Sequence, residues 1–555
     1  MTPVASIADA DLLLERDAAS ESARKLRAAG NRYLRETYAR FPQNGSRDGI
    51  RAFDADLGPN DAASHEAQIR LAEETLRAVE SIPPVTLEGD DWLDRRGFLS
   101  LLRTHLFSER DQQRWRRNPH AHASEAMEAV FFLLVRAGDN LALAMSAIES
   151  RLAKIPDFLD AGLTCLHRPV PMWVTMARET AAGAVQFLAE ITPALKAAST
   201  HEAAVELSLR SAAAAFERFA DGISRMEPGE EGSFAAGTAG FEMLLRERNG
   251  LDWSLAETTA VGHQLIAECE AALHTEATRL GIRSARETLE RVRDEWQPNR
   301  PLLELYAETT FRIRDQLVRS GLTPMPAGEH LKVLPVPSFL RNQFPTAAYH
   351  APGAFDADQT GIFWVNDLGA TEVDPVKRRA ETAQHFGLEL TCAHEAYPGH
   401  HLQFIVQNLH TSRLRRLFAH AIFYEGWTLW CERLTVEQGL TADPHARLLQ
   451  LHDALWRAHR VVIDAGLHSG TMTAAQAAQR LVEGVGFSEA RAKADVNWYT
   501  QSPTVPMSYL CGRLEVERLH QLLVRGRGWT LRQFHDWILS HGAIPWSWIL
   551  SQATH

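Results

Sequence analysis

Apolar residues recur at three- and four-residue intervals through most of this chain, and that period predicts helices. In the N-terminal part such stretches cover 7–40, 65–79, 90–108 and 124–137, then 141–154, 156–166, 171–191 and 201–226. The intervals break where turn formers gather, as over 41–63 and at Pro83-Pro84. Residues 228–237, half of them Gly or Glu, form the clearest internal loop. That loop divides an N-terminal helical lobe (1–230) from the remainder (231–555), unless the two are one continuous domain. Helical spacing resumes over 253–280, where Ser254-Leu255-Ala256-Glu257 has the form of a capping box, and over 284–296 and 301–320.

The pattern changes between 324 and 367. Residues 330–336 and 361–366 are rich in apolar, β-favouring side chains between turn formers, which predicts a small sheet that 347–350 can join. Helical spacing returns over 375–409, 412–438 and 444–468. It continues over 490–499, in a helix led by Tyr509 that ends near 526, and over 530–540. The fold class is therefore mostly α, with a small sheet just ahead of a histidine-rich segment.

Composition narrows the function classes. A chain of 555 residues with 45% hydrophobic content can bury a large core. A net charge of −12 with no basic tract argues against nucleic acid as a partner. No run approaches the roughly 18 apolar residues that cross a bilayer, so no membrane role is expected. The first 17 residues lack a basic start followed by an apolar stretch, so the chain reads as cytoplasmic. Five scattered cysteines without a CxxC pair suggest neither a disulfide framework nor a cysteine metal site, and read as small buried apolar side chains.

The chemistry concentrates in His394-Glu395-Ala396-Tyr397-Pro398-Gly399-His400-His401. Three imidazoles and a carboxylate within eight residues suit a catalytic zinc, with the glutamate as base beside it. On an unbroken helix His400 would lie about 9 Å along the axis from His394, and His401 about 10.5 Å. Ligands held at about 2.1 Å from one ion cannot be so far apart. Pro398-Gly399 must therefore interrupt the helix, bringing round His400 in preference to His401. Glu425, on an apolar helix 31 residues after His394, is the third ligand candidate, since a carboxylate there needs a partner or a metal. Glu432, two turns further on, is better placed to orient a ligand than to bind the ion.

These motifs, with Glu425-Gly426-Trp427-x-Leu429, resemble the signature of the bacterial family catalogued as domain of unknown function 885. Further motifs match it in order: Gly240-Phe241-x-x-Leu244-Leu245 into Gly250-Leu251-Asp252, Ala348-Tyr349-His350, 361–366, 460–468 and Ser508-Tyr509-x-x-Gly512. The resemblance implies a gluzincin-like zinc peptidase fold with a deep cleft, and places a substrate-binding sheet edge near 361–366. It points to Tyr509 as the donor to a developing oxyanion, with His401 or His468 assisting. It also favours a site role for Arg460, Asp464 and His468, which share one helix side. Where the family reads Arg-Tyr and then Pro-Gly-Gln, this chain has Trp498-Tyr499 and Pro503-Thr504-Val505. A cation and an amide are thereby lost, which suggests an unusual or smaller substrate.

The expectation is a zinc-dependent hydrolase acting on a short peptide or small amide. His394, His400 and Glu425 bind Zn²⁺, Glu395 is the base, and Tyr509 and His468 assist. Two alternatives stand beside it. A two-His, one-carboxylate set also suits Fe²⁺ and oxygen chemistry on a small metabolite, although an intact Glu395 favours hydrolysis. A catalytically inactive paralogue that keeps the fold is the other.

Overall fold

The computed structural model describes residues 20–138, 140–336, 346–370 and 372–553. Most helices form where the three-and-four spacing predicts them, and several of their ends carry capping boxes. The boxes at Ser254/Glu257, Thr473/Gln476 and Thr530/Gln533 are all closed, each satisfying two otherwise orphaned N–H groups. The first predicted helix is described over Glu21–Arg40; its start at residue 7 lies outside the described residues.

Pro156 does not separate two helices as its spacing suggests, because it lies inside one helix, Met145–Cys165. A proline there forfeits one backbone hydrogen bond. Ile148, Leu152, Ile155, Phe158 and Leu159 nevertheless bury one continuous face across it, and that burial carries the helix through. A C-terminal helix, Trp546–Ala553, was not expected from the apolar spacing.

The sheet consists of β1 (His330–Pro335), β2 (Ala347–His350) and β3 (Thr360–Val365), in the order β1-β3-β2. β1 runs parallel to β3 and β2 antiparallel to it. This corrects the expected edge at 361–366: β3 is hydrogen-bonded on both sides, so no peptide can add to it. The sheet edge nearest the histidine motif belongs to β2.

The largest apolar core joins the N-terminal helices (Leu26, Phe98, Leu102) to the histidine-bearing half (Cys392, Trp427, Leu510, Trp546). A second core holds the helices between 119 and 224 and reaches the sheet at Trp364. The two clusters thus meet across the sheet, and residues 21–106 pack with the C-terminal half. Among the described residues, no helix is long and apolar enough to cross a membrane.

Candidate metal centre

The histidine motif is a broken helix. Leu388–Glu395 stops at Ala396, Tyr397-Pro398 is a cis peptide, and His400–Asn408 begins a new helix. Gly399 is obligatory here: a Cβ would lie 1.8 Å from the His394 carbonyl oxygen, so no other residue lets the chain double back so closely. The indole N–H of Trp427 donates to the Pro398 carbonyl at 2.8 Å and pins this turn to the helix Ala421–Glu437.

The doubling back brings the His394 and His400 rings to 4.9 Å, nearly perpendicular. Glu425 Oε2 lies 3.5 Å from His394 Nε2 and 3.6 Å from His400 Nε2. Those separations are too long for ordinary hydrogen bonds. They match the edge of about 3.4 Å expected between tetrahedral ligands at about 2.1 Å from zinc. Among the described residues these three side chains form the one group able to hold a metal, with their ligand atoms all within 4.8 Å of one another. Glu425 Oε2 is buried with no hydrogen-bond partner, as a ligand oxygen would be. The donor set therefore fits a divalent ion with an open position.

The surroundings orient this set. His394 Nδ1–H donates to Glu432 Oε1 at 2.8 Å, which directs Nε2 at the other two groups. Burial alone would lower the His394 pKa, but the carboxylates of Glu425, Glu432 and Glu395 outweigh it and raise it to about 10. At His400 burial outweighs the one carboxylate that acts on it, Glu425, and lowers it to about 4. Burial would raise Glu425, yet the two imidazoles and the Tyr509 hydroxyl hold it below the usual carboxylate range. Glu395 is raised by burial, most of all, and accepts the Tyr349 N–H of β2 at 3.3 Å. A carboxylate raised towards neutrality is a better general base.

Tyr509 reaches this group because two helices nearly touch. A Cβ on Gly512 would lie 2.2 Å from the Ile422 carbonyl oxygen, and one on Gly426 would lie 2.5 Å from the Gly512 carbonyl carbon. Val505–His520 thereby approaches Ala421–Glu437 closely enough for the Tyr509 hydroxyl to face the Glu425 carboxylate.

Residues 42–552 match the family described as bacterial protein of unknown function, DUF885. This chain belongs to that family. Two solved structures share its fold. One, from Shewanella oneidensis, is provisionally described as a lipoprotein of unknown function. It is 16% identical, with a TM-score of 0.77 over 97% of this chain and 100% of that one. The other, provisionally a lipoprotein from Colwellia psychrerythraea, is 17% identical, with a TM-score of 0.75 over 97% of this chain and 99% of its own. No curated protein matches the chain.

Two family-motif histidines lie apart from the cluster. His401 is fully buried, donates to Glu329 Oε1 at 2.9 Å and faces the Tyr349 hydroxyl at 3.2 Å. Both its nitrogens are thus engaged away from the ligand set, and His400 is the histidine that converges with His394. His468 points Nε2–H at the Tyr499 carbonyl, 3.0 Å away, between the rings of Phe234 and Phe241. It is not brought to the ligand set, which corrects the expected site role. Its neighbour Asp464 accepts the N–H groups of Thr504 and Met507, both at 3.1 Å, and so caps the Tyr509 helix. Glu329, which anchors His401 and Tyr397, escaped the sequence reading, because a lone acid ahead of a strand carries no signal.

Proposed function

We propose that this protein is a zinc-dependent hydrolase of amide bonds with gluzincin-like chemistry, acting on a short peptide or a small amide. The observation that supports it is the convergence of His394, His400 and Glu425 with Glu395 alongside. Glu425 is buried and the others are largely so, yet the three ligands keep 11–13% exposure, enough for a substrate atom to reach them.

His394, His400 and Glu425 would hold the ion, whose chemistry there is that of a Lewis acid that polarises a carbonyl and lowers the pKa of water to about 7. Glu395 takes a proton from the attacking water and passes it to the leaving nitrogen. The N–H of Tyr349 holds that carboxylate in place. Tyr509 donates its hydroxyl proton in a hydrogen bond to the carbonyl oxygen as negative charge develops there. An extended substrate would lie beside β2, the sheet edge next to Glu395.

The test pairs metal analysis with turnover of short peptides and N-acyl amino acids. About one zinc per chain, lost in His394→Ala, is expected from an open three-ligand site. Glu395→Gln should keep its zinc and lose on the order of 10²- to 10⁴-fold in turnover. Undiminished turnover would remove Glu395 from its role, and iron in place of zinc would favour oxygen chemistry instead.

A further inference from the structure

A cavity of about 390 Å³ is lined by Arg248, Asn249, Thr504, Val505, His420 and Tyr424, and Tyr424 brings it to the ligand set. Tyr424 links the two: it precedes Glu425, and its ring packs 5.9 Å from that of His400.

Arg248 forms no ion pair among the described residues, and its hydrogen bond goes to the Pro503 carbonyl at 3.2 Å. The acids around it are committed elsewhere. Glu247 binds Arg96 and Arg103, and Asp464 accepts the Thr504 and Met507 N–H groups. Burial, with Arg114 adding to it, lowers Arg248 to about 10, so the guanidinium stays charged at neutral pH. A half-buried cation without a counter-charge is an anion site waiting for its ligand.

Two further groups share the cavity. Asn249 and Thr504 are 2% and 1% exposed, and their Oδ1 and Oγ1 have no partner among the described residues. A buried polar atom left without a partner is costly, so a ligand that satisfies it gains by binding there. Thr504 is also β-branched at φ +66°, a left-handed conformation that such residues adopt only when their surroundings impose it. Arg248 and Asn249 close a single π-turn, Leu245–Asn249, a feature that recurs at functional sites. An orphaned hydroxyl, an orphaned acceptor, an unpaired cation and two backbone irregularities coincide in one cavity that reaches Tyr424.

We infer that this cavity is a carboxylate-binding subsite, with Arg248 and the Thr504 hydroxyl taking the carboxylate and Asn249 Oδ1 accepting an N–H of the same ligand. Resting on the hydrolase reading, it makes the substrate an amide that carries a free carboxylate, as an N-acyl amino acid or a peptide C-terminus does. The cation that the sequence lacks ahead of Thr504 is supplied by Arg248, 256 positions earlier in the chain.

The test uses the zinc-loaded full chain carrying Glu395→Gln, titrated calorimetrically with N-benzoylglycine and with its neutral amide, N-benzoylglycinamide. The acid should bind at least tenfold more tightly than the amide. Adding Arg248→Gln should abolish that preference at unchanged zinc content and melting temperature, while Arg248→Lys should keep part of it. Equal affinities for acid and amide, or a preference that survives Arg248→Gln, would overturn the subsite; so would inorganic phosphate binding there in place of the acid. Should the variants fail to fold, the acid–amide comparison on the parent chain decides alone. Wild-type turnover separates the two readings. Acid selectivity without turnover of any amide would sink the hydrolase and leave the subsite, whereas equally fast turnover of acids and neutral amides would do the reverse.

Discussion

At the level of single residues, the proposed metal centre makes the charge state of His394 the quantity that would govern metal uptake. Three carboxylates keep its imidazole protonated to about pH 10, while His400 is already neutral. A metal ligand must be deprotonated, so uptake at pH 7 should release the His394 proton. Calorimetry in buffers of different ionisation enthalpy would detect about one proton per ion from this group. The same shift sets a stability window for the metal-free chain. Because the folded value lies above the ordinary 6.5, the contribution of His394 is complete below about pH 6.5 and declines as pH rises to about 10. The stability difference between wild type and His394→Gln, followed by urea denaturation, should shrink over that interval. Glu432 acts through the same ring. Glu432→Gln keeps the shape but removes the charge that receives Nδ1–H, and should weaken zinc affinity by about 10- to 100-fold in chelator competition.

Among the elements, the close contact of Ala421–Glu437 with Val505–His520 deserves a direct probe, because it carries Tyr509 to Glu425. Gly512→Ala places a methyl group 2.2 Å from the Ile422 carbonyl oxygen, and backbone cannot rotate aside as a side chain does. The helices must separate, at a cost of about 1–3 kcal/mol. Turnover should fall further than stability does, since Tyr509 retreats while His394, His400 and Glu425 remain. Equal turnover per folded molecule would show that Tyr509 is not needed there. The Asp464 cap holds the same helix at its N-terminus, just ahead of Tyr509.

Across the molecule, the N-terminal helices are integral to the histidine-bearing half. Asp94, in the helix Gly89–Leu106, pairs with Arg415 at 2.8 Å, and both side chains are almost wholly buried. Arg415 further donates to the His541 and Asp90 carbonyls, so one guanidinium ties three distant segments together. Asp94→Ala strands that cation in the interior and should cost about 3–5 kcal/mol, read from the urea midpoint. Removing residues 20–106 would strip Leu26, Tyr33, Phe98, Leu102 and their neighbours from the largest core, so the metal-bearing half is not expected to fold alone.

The three-and-four apolar spacing was enough to determine a mostly helical chain, because burying one face of each helix is a local property of sequence. β-favouring runs likewise determined the three strands, and the Pro398-Gly399 break followed from the reach of two histidines to one ion. Spacing along the chain also marked Glu425 and Glu432, since acids on an apolar helix need partners. Sheet order, by contrast, was decided only in three dimensions: β3 became central because β1 and β2 flank it, which no single strand encodes. Tertiary contacts alone separated His400 from His401, whose ring is taken by Glu329 from 72 positions away. They also turned Asp464 from an expected site residue into the cap of the Tyr509 helix, and His468 into a partner of the Tyr499 carbonyl in the helix before it. Arg248 remained invisible for the same reason, because an unpaired cation is defined by which acids fail to reach it, and that is settled only when the whole chain has packed.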